Sequence, residues 1–446
     1  MKGNKQMDSY KVRKLKCVPD ICVKVPGSKS ITNRALLMAA MSDGKTVLDG
    51  VQFSADSTHF LEALKSLGFN VDIDMNRCHV EIDGCSGKIP KDEAEIYVGS
   101  AGTAARFLTA FVAIGDGIYK VESSEQMRKR PMKELFAALE DMGARFEWLG
   151  EEYTFPVKVY SIGHNIFDGS IDREDTKYAN INLNIDRSSQ FLSALLMVSP
   201  VRFEKTRIHL TGKRSARSYV AMTEQMMKQF GHSGVVKIDN DTYEVVKEQY
   251  HAIAYQVEPD VSAACYFYAM AAITGGRAKV KHMAKDSLQG DMKFIDLLEK
   301  MGCTINWTDT LELTGPAKGK LKGVDVNMSD YSDQVLTLAA IAPYASDRTV
   351  ISGVAHIRGQ ESDRLSVIST ELTKMGIRCE EKEDGIIINP GMPKASKVNT
   401  YNDHRAAMSF AVTGLMTDGI EILDPSCCSK TFAEYFDVLD SIECQI

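Results

Sequence analysis

The sequence predicts an α/β protein of two lobes, each built from three copies of one repeating unit. Three observations carry this. A polar cluster followed by an apolar run of helical length, a turn and a β-branched strand begins six times, at Arg34, Arg106, Gln190, Cys265, Val335 and Arg405. Between these, amphipathic segments close on a glycine and pass straight into an alternating strand pattern, at Gly68, Gly143, Gly231, Gly302 and Gly376. The starts lie roughly 70–84 residues apart, too long for a solenoid in which each repeat touches only its neighbours.

Each element has a local reason. Runs such as RALLMAAM (34–41) and RFLTAFVAI (106–114) are apolar nearly all round, which places those helices inside a domain. Glycine suits the left-handed position that ends a helix, and the alternation after it fits a half-buried strand. Three inner helices sharing one core give three units per lobe. Pro26 with Gly27, and the stretch Val257 to Asp260 around Pro259, are the expected crossings. One lobe then spans 27–258, and the other combines the amino-terminal strand in 1–26 with 259–446.

Composition bounds the function. The 446 residues are 44% hydrophobic and 25% charged with a formal net charge of −7, the profile of a soluble globular protein with a large core. No global basic field exists, so neither nucleic acid nor an anionic membrane is an expected partner. No apolar run is long enough to span a bilayer, and the lysine-rich start has no apolar segment of a secretory signal. Ten cysteines without a C-x-x-C pair, and without histidines at zinc spacing, read as reduced thiols in a cytoplasmic protein with no metal site. Any anionic ligand must then be held by locally gathered cations.

Those cations gather just before the inner helices. The six starts read PGSKSITNR (26–34), GSAGTAAR (99–106), IDRSSQ (185–190), PDVSAAC (259–265), SDYSDQ (329–334) and YNDHR (401–405). Taken singly, each is an N-cap, because Ser, Thr and Asp satisfy the free amides of a first turn. Capping does not require Lys29, Arg34, Arg106 or Arg405, and a cation at a helix start is unfavourable unless an anion is present. GSKS is no phosphate-binding P-loop: Ser28 stands where that pattern needs glycine before the lysine, and Val23 stands at the earlier glycine position.

Taken together, PGSKSITNRAL, GSAGTAAR, RKRPM (128–132), SSQFLSALLM (188–197), SLQGDMKF (287–294), ESDRL (361–365), YNDHRAAMSF (401–410) and SKTFAEYF (429–436) resemble the 5-enolpyruvylshikimate-3-phosphate (EPSP) synthase family of enolpyruvyltransferases. The resemblance implies an inside-out α/β barrel of six βαβαββ units, three per lobe, with the active site in the cleft between lobes. It implies transfer of the enolpyruvyl group of phosphoenolpyruvate to the 5-hydroxyl of shikimate 3-phosphate with release of phosphate, a step of chorismate and aromatic amino acid biosynthesis. Neither cofactor nor metal is implied, and a monomer is expected.

Residue by residue, the resemblance makes Lys29, Asp333 and Glu361 the proton-transfer groups. It assigns phosphoenolpyruvate to Lys29, Gly102, Arg130, Gln190, Arg364, Arg405 and Lys430. It assigns shikimate 3-phosphate to Ser30, Arg34, Ser188, Ser189, Gln190, Tyr219, Asp333 and Gln360, with His404 as a supporting or proton-relay group beside Arg405. The absent side chain at Gly102 implies room for glyphosate as an inhibitor. Arginine suits these roles because its planar fork meets carboxylate and phosphate oxygens two at a time. There are departures from the family pattern: Gln360 for lysine, Ala216 near an expected serine, Ser100 and His356 for asparagine, and Gln126 for arginine. Arg214, Arg217 or Arg358 would offset the lost cation. The departures keep a second reading open, a paralogous enolpyruvyltransferase with another hydroxylated acceptor, and a third, a silent anion-binding protein, which the triad of Lys29, Asp333 and Glu361 opposes.

Overall fold

The computed structural model describes residues 8–212 and 217–442, without the side chain of Arg217. Expectations resting on Arg214, Ala216, the Arg217 side chain and Cys444 lie outside the described residues. The chain forms two compact units, Met1–Pro26 with Glu258–Ile446, and Gly27–Val257.

In the Gly27–Val257 unit three helices, Lys29–Met41, Gly102–Ile114 and Gln190–Arg202, are buried along most or all of their length. Gly102–Ile114 has no exposed residue because Phe107, Leu108, Phe111, Val112 and Ile114 clothe it on every side. Three four-stranded sheets surround these helices, and each joins one parallel pair to two antiparallel pairs. The second repeat runs strand Glu93–Tyr97, helix Gly102–Ile114, strand Ile118–Glu122, helix Lys133–Asp141, then strands Arg145–Trp148 and Val157–Tyr160. For the first repeat the opening strand comes from the far end of the unit: Ala254–Gln256 lies parallel to Lys45–Asp49.

The other unit follows the same plan around Val261–Thr274, Val335–Ile341 and His404–Gly414. Its opening strand is Asp20–Val23, parallel to Arg277–Val280. A further amino-terminal strand, Ser9–Lys11, pairs with Ile420–Leu423 and completes a three-stranded sheet with Ser396–Val398. The amino-terminal segment is therefore structural in this unit. The apolar run at Val335 gives only a short α-helix, because Pro343 lacks the N–H that would continue it, and Ala342–Tyr344 tightens into a 3-10 turn.

The repeated glycines take the conformation expected of helix ends: Gly68, Gly143, Gly231, Gly302 and Gly376 have φ of 94°, 105°, 89°, 108° and 81°. Cys22, Cys78, Cys85, Cys265, Cys303, Cys379, Cys427 and Cys428 are free, but Cys17 is disulfide-bonded, which departs from the expectation of reduced thiols throughout. Among the described residues no helix is long and apolar enough to cross a membrane.

Gly414 tests how the amino-terminal segment docks. A β-carbon there would lie 2.5 Å from Val12 Cβ, next to the backbone bonds from Val12 to Ile420 and from Leu15 to Leu415. In an unobstructed helix Gly→Ala stabilises by about 1 kcal/mol. Here the clash reverses the sign, and Gly414→Ala is expected to lower stability by about 1–3 kcal/mol, read as a fall in the urea midpoint.

Candidate active site

Each unit gathers charged and polar side chains where its inner helices begin. In the Gly27–Val257 unit, Lys29 opens the first helix, and its Nζ lies 3.2 Å from Oδ2 of the buried Asp56. The starts at Ser28, Ala101 and Ser189 have no side-chain cap, so their first-turn amides are not satisfied by the residues that resemble caps in sequence. Ser188 Oγ instead accepts from the Gln190 amide at 3.2 Å.

Arg34 is wholly buried and faces no carboxylate among the described residues. Its Nε donates to Thr223 Oγ1 at 2.8 Å, Nη1 to Ser30 O at 2.8 Å, and Nη2 to Ser193 Oγ and Tyr219 O at 3.3 Å. The guanidinium also lies over the Phe107 ring. Burial lowers its pKa to about 10, which still leaves it charged at neutral pH. Arg34, expected to meet the acceptor, thus has its donors engaged by protein acceptors on three helices, while Ser189 is buried and Ser188, Gln190 and Tyr219 are half-buried.

Arg106 and Arg130 form a different arrangement around Gly102. Arg106 Nη1 donates to Gln190 Oε1 at 2.7 Å and Nη2 to Pro131 O at 2.9 Å; Arg130 Nη1 donates to Ser100 O at 3.2 Å. Neither guanidinium meets a carboxylate among the described residues, and the Nε of each is buried without a hydrogen-bond partner. Burial, then the charge of Arg130, pushes the pKa of Arg106 well below its usual value, with Glu134 acting in the opposite sense. A β-carbon at Gly102 would lie 2.7 Å from Arg106 Nη1 and 2.8 Å from Arg130 Nη2. Only glycine lets both guanidiniums reach this helix start, whose amides favour an anion.

In the other unit the cations are matched by carboxylates. Asp333, on the Ser332–Gln334 turn, accepts from Arg364 Nη1 at 3.1 Å and from Arg405 Nη2 at 2.7 Å. Arg364 also holds Asp403 through Nε at 2.9 Å and donates to Gln360 Oε1. Asp403 in turn caps the last inner helix by accepting from the Arg405 amide at 2.9 Å. Glu361 Oε2 lies 2.9 Å from His404 Nδ1 and 3.5 Å from Lys430 Nζ. Burial disfavours charge on Arg364, but Asp403 and Asp333 outweigh it and hold the pKa above the usual value. Asp403 behaves reciprocally: burial would raise its pKa, and Arg364 brings it below the carboxylate range. Ligand atoms of Glu361, Asp403 and His404 lie within 4.8 Å of one another, a spacing a metal could use, but Lys430 and Arg364 already face the two carboxylates.

The structure thus brings Lys29, Gly102, Arg130 and Gln190 to the inner-helix starts of one unit, and Asp333, Gln360, Glu361, Arg364, His404, Arg405 and Lys430 together in the other. Sequence reasoning missed Asp56, 27 residues from Lys29 with no local signal, and the bond of Asp403 to Arg364, although YNDHR contains it. It singled out Arg106 as a cation but gave it no role.

A solved EPSP synthase from Acinetobacter baumannii shares this fold, with a TM-score of 0.78 over 98% of this chain and 99% of that one at 24% identity. A sequence model of the family described as EPSP synthase (3-phosphoshikimate 1-carboxyvinyltransferase) matches residues 20–439. The chain is 42% identical to the 3-phosphoshikimate 1-carboxyvinyltransferase of Nostoc punctiforme over 96% of its length and 98% of that protein. It is 38% identical to the protein of that name from Yersinia ruckeri, over 94% and 95%. The chain belongs to the EPSP synthase family and is an enzyme, a transferase of the 3-phosphoshikimate 1-carboxyvinyl kind.

The buried Arg364–Asp403 pair gives a stability test. Removing one partner of such a pair typically costs about 3–5 kcal/mol, so Asp403→Asn is expected to unfold at markedly lower urea. Because the folded pKa of Asp403 is depressed, its contribution is present above the ordinary carboxylate range and is lost as pH falls through the folded value. The difference between wild type and variant should therefore shrink in acid.

Proposed function

We propose that the chain moves the enolpyruvyl group of phosphoenolpyruvate to the 5-hydroxyl of shikimate 3-phosphate through the residues gathered in the two units. The reaction breaks a C–O bond. A proton is added at the enol methylene, the alcohol loses its proton as it attacks C2, and the tetrahedral adduct then expels phosphate as the methyl group gives a proton back. Asp333 takes the 5-hydroxyl proton, while Glu361 and Lys29 serve the methylene and the bridging oxygen. Within each unit, three inner helices under three sheets support the inside-out α/β barrel reading.

The observation that carries the proposal is a pair of guanidiniums, the buried Arg106 and the half-buried Arg130, converging on the Gly102 helix start with neither in an ion pair among the described residues. Two guanidiniums against the single nearby carboxylate of Glu134 leave a surplus of positive charge for an incoming dianion. Gln190 fixes Arg106, and Lys29 supplies a proton-bearing cation from the neighbouring inner helix. In the other unit Arg364, Arg405 and Lys430 serve phosphoenolpyruvate, exchanging part of their pairing with Asp333 and Glu361 for substrate oxygens. Ser30, Arg34, Ser188, Ser189, Tyr219 and Gln360 serve the acceptor, with Arg34 working through the helices it ties together.

A phosphate-release assay tests the reaction. Release is expected only when phosphoenolpyruvate and shikimate 3-phosphate are both present, and folded protein without turnover on that pair would sink the proposal. Gln360 favours one alternative, a different hydroxylated acceptor, because its carbonyl is engaged by Arg364 where the family has an ammonium. Gln360→Lys should lower KM for shikimate 3-phosphate several-fold if that acceptor is right and leave it unchanged otherwise.

The absent side chain at Gly102, beside Arg106 and Arg130, supports glyphosate as an inhibitor competitive with phosphoenolpyruvate. Gly102→Ala is expected to displace Arg106 and Arg130, raise KM for phosphoenolpyruvate and weaken glyphosate by at least about tenfold, since each 1.4 kcal/mol is a factor of ten in affinity. Equal inhibition of wild type and variant would contradict this geometry.

A further inference from the structure

Asp291 is a buried carboxyl that the proposed reaction does not use. It stands at the start of the Met292–Lys300 helix with 3% of its surface exposed, in the unit that carries Asp333. Its Oδ1 accepts from Gln334 Nε2 at 2.8 Å. Gln334 is fully buried, follows Asp333 directly on the Ser332–Gln334 turn, and accepts from Thr337 Oγ1 at 3.1 Å. On the other flank of the same turn, Ser332 Oγ and His356 Nε2 are hydrogen-bonded at 2.8 Å. The turn that presents Asp333 is thus pinned on both sides through buried side chains, one connection ending on a carboxyl and the other on an imidazole.

We infer that Asp291 is a positioning residue for Asp333: through Gln334 it fixes the turn, and as a buried anion it strengthens Asp333 as a base. This rests on the reading of Asp333 as the group that takes the 5-hydroxyl proton. The physical need is plain. Two guanidiniums, those of Arg364 and Arg405, hold Asp333 and favour its ionised form, which weakens it as a proton acceptor. A second anion nearby opposes them. Like charges act reciprocally, so ionised Asp291 raises the proton affinity of Asp333, and a proton arriving on Asp333 relieves Asp291.

Asp333, Arg405, Gln334 and Asp260 act on Asp291, and the buried Cys265 thiol lies against its backbone carbonyl, Sγ to O at 3.9 Å. Burial, then the charge of Asp333, pushes the pKa of Asp291 up to about 6; Arg405 and the bond from Gln334 act against this, and Asp260 adds to it. Asp291 therefore changes charge close to neutral pH. His356 lies on the other flank. Burial lowers its pKa, against the pull of Asp333 and Asp384 and with the push of Arg364.

The test is the pH dependence of kcat with both substrates saturating, for the full chain and for Asp291→Asn and His356→Asn. Wild type should lose turnover below about pH 6, approaching tenfold per unit of pH. Asp291→Asn should turn over about tenfold more slowly at pH 8, with KM for phosphoenolpyruvate within about twofold of wild type, and should lack the wild-type acid limb. His356→Asn should keep that limb. An unchanged limb in Asp291→Asn, or one that moves only in His356→Asn, overturns the inference.

A second readout does not depend on turnover. The folded pKa of Asp291 is raised, so its stabilising contribution is present below the ordinary value of 3.8 and is lost as pH rises through about 6. Asp291→Asn should then melt a few degrees above wild type at pH 8, and the two should converge near pH 4. A lower melting temperature at pH 8 contradicts a buried, ionised Asp291. Absence of turnover in wild type would overturn the role of Asp333 as the base, and the melting comparison would still decide whether Asp291 carries the buried charge.

Discussion

The constraint on which the rest depends is the burial of guanidinium groups at the starts of the inner helices. A charged arginine out of water needs acceptors for its donors and a counter-charge for its electrostatics, and a helix start, with its own partial positive charge, supplies neither. The protein meets this in three ways. Arg34 has its donors engaged by hydroxyl and carbonyl oxygens on three helices, and it serves as a tie. Arg364 and Arg405 are balanced by Asp403 and Asp333. Arg106 and Arg130 each keep an Nε without a hydrogen-bond partner and are only partly balanced, by the charge of Glu134 on Arg106, and they lie beside an uncapped helix start.

This difference sorts the two clusters by what they do when substrate arrives. Under the proposed function the arginines around Gly102 would gain a counter-charge, and anion binding there would relieve part of an existing electrostatic cost. The cluster around Asp333 is already neutralised within itself, so under the proposed function a substrate anion would compete with Asp333 and Glu361 for Arg364, Arg405 and Lys430. That competition leaves a carboxylate with fewer cationic partners and therefore a higher proton affinity. A group assigned to accept a proton becomes a better base when its arginines turn toward substrate.

Much of the fold was legible because it is written in local terms. Apolar runs with no polar face gave the inner helices, and helix-ending glycines gave the turns into strands; both depend on residues within a few positions of each other. The sixth sheet was less legible. It has no glycine-ended helix after Arg405, and its third strand, Ser9–Lys11, comes from the opposite end of the chain. The helix at Val335 was overestimated because its apolar character hid the effect of Pro343. Of the candidate site, the residues beside each helix start were visible in the motifs. Their partners were not, since Asp56, Thr223, Asp403 and Asp291 reach them through space from 27 to 189 positions away.

The proposed function keeps the surplus positive charge of Arg106 and Arg130 for the donor anion. Calorimetric titration of phosphoenolpyruvate into wild type and into Arg130→Gln, each without shikimate 3-phosphate so that no turnover occurs, measures this. An affinity at least about a hundredfold below that of wild type is predicted, in line with the 2–5 kcal/mol attached to a desolvated charge pair. An affinity equal to that of wild type would contradict the claim and return Arg106 and Arg130 to a purely structural role.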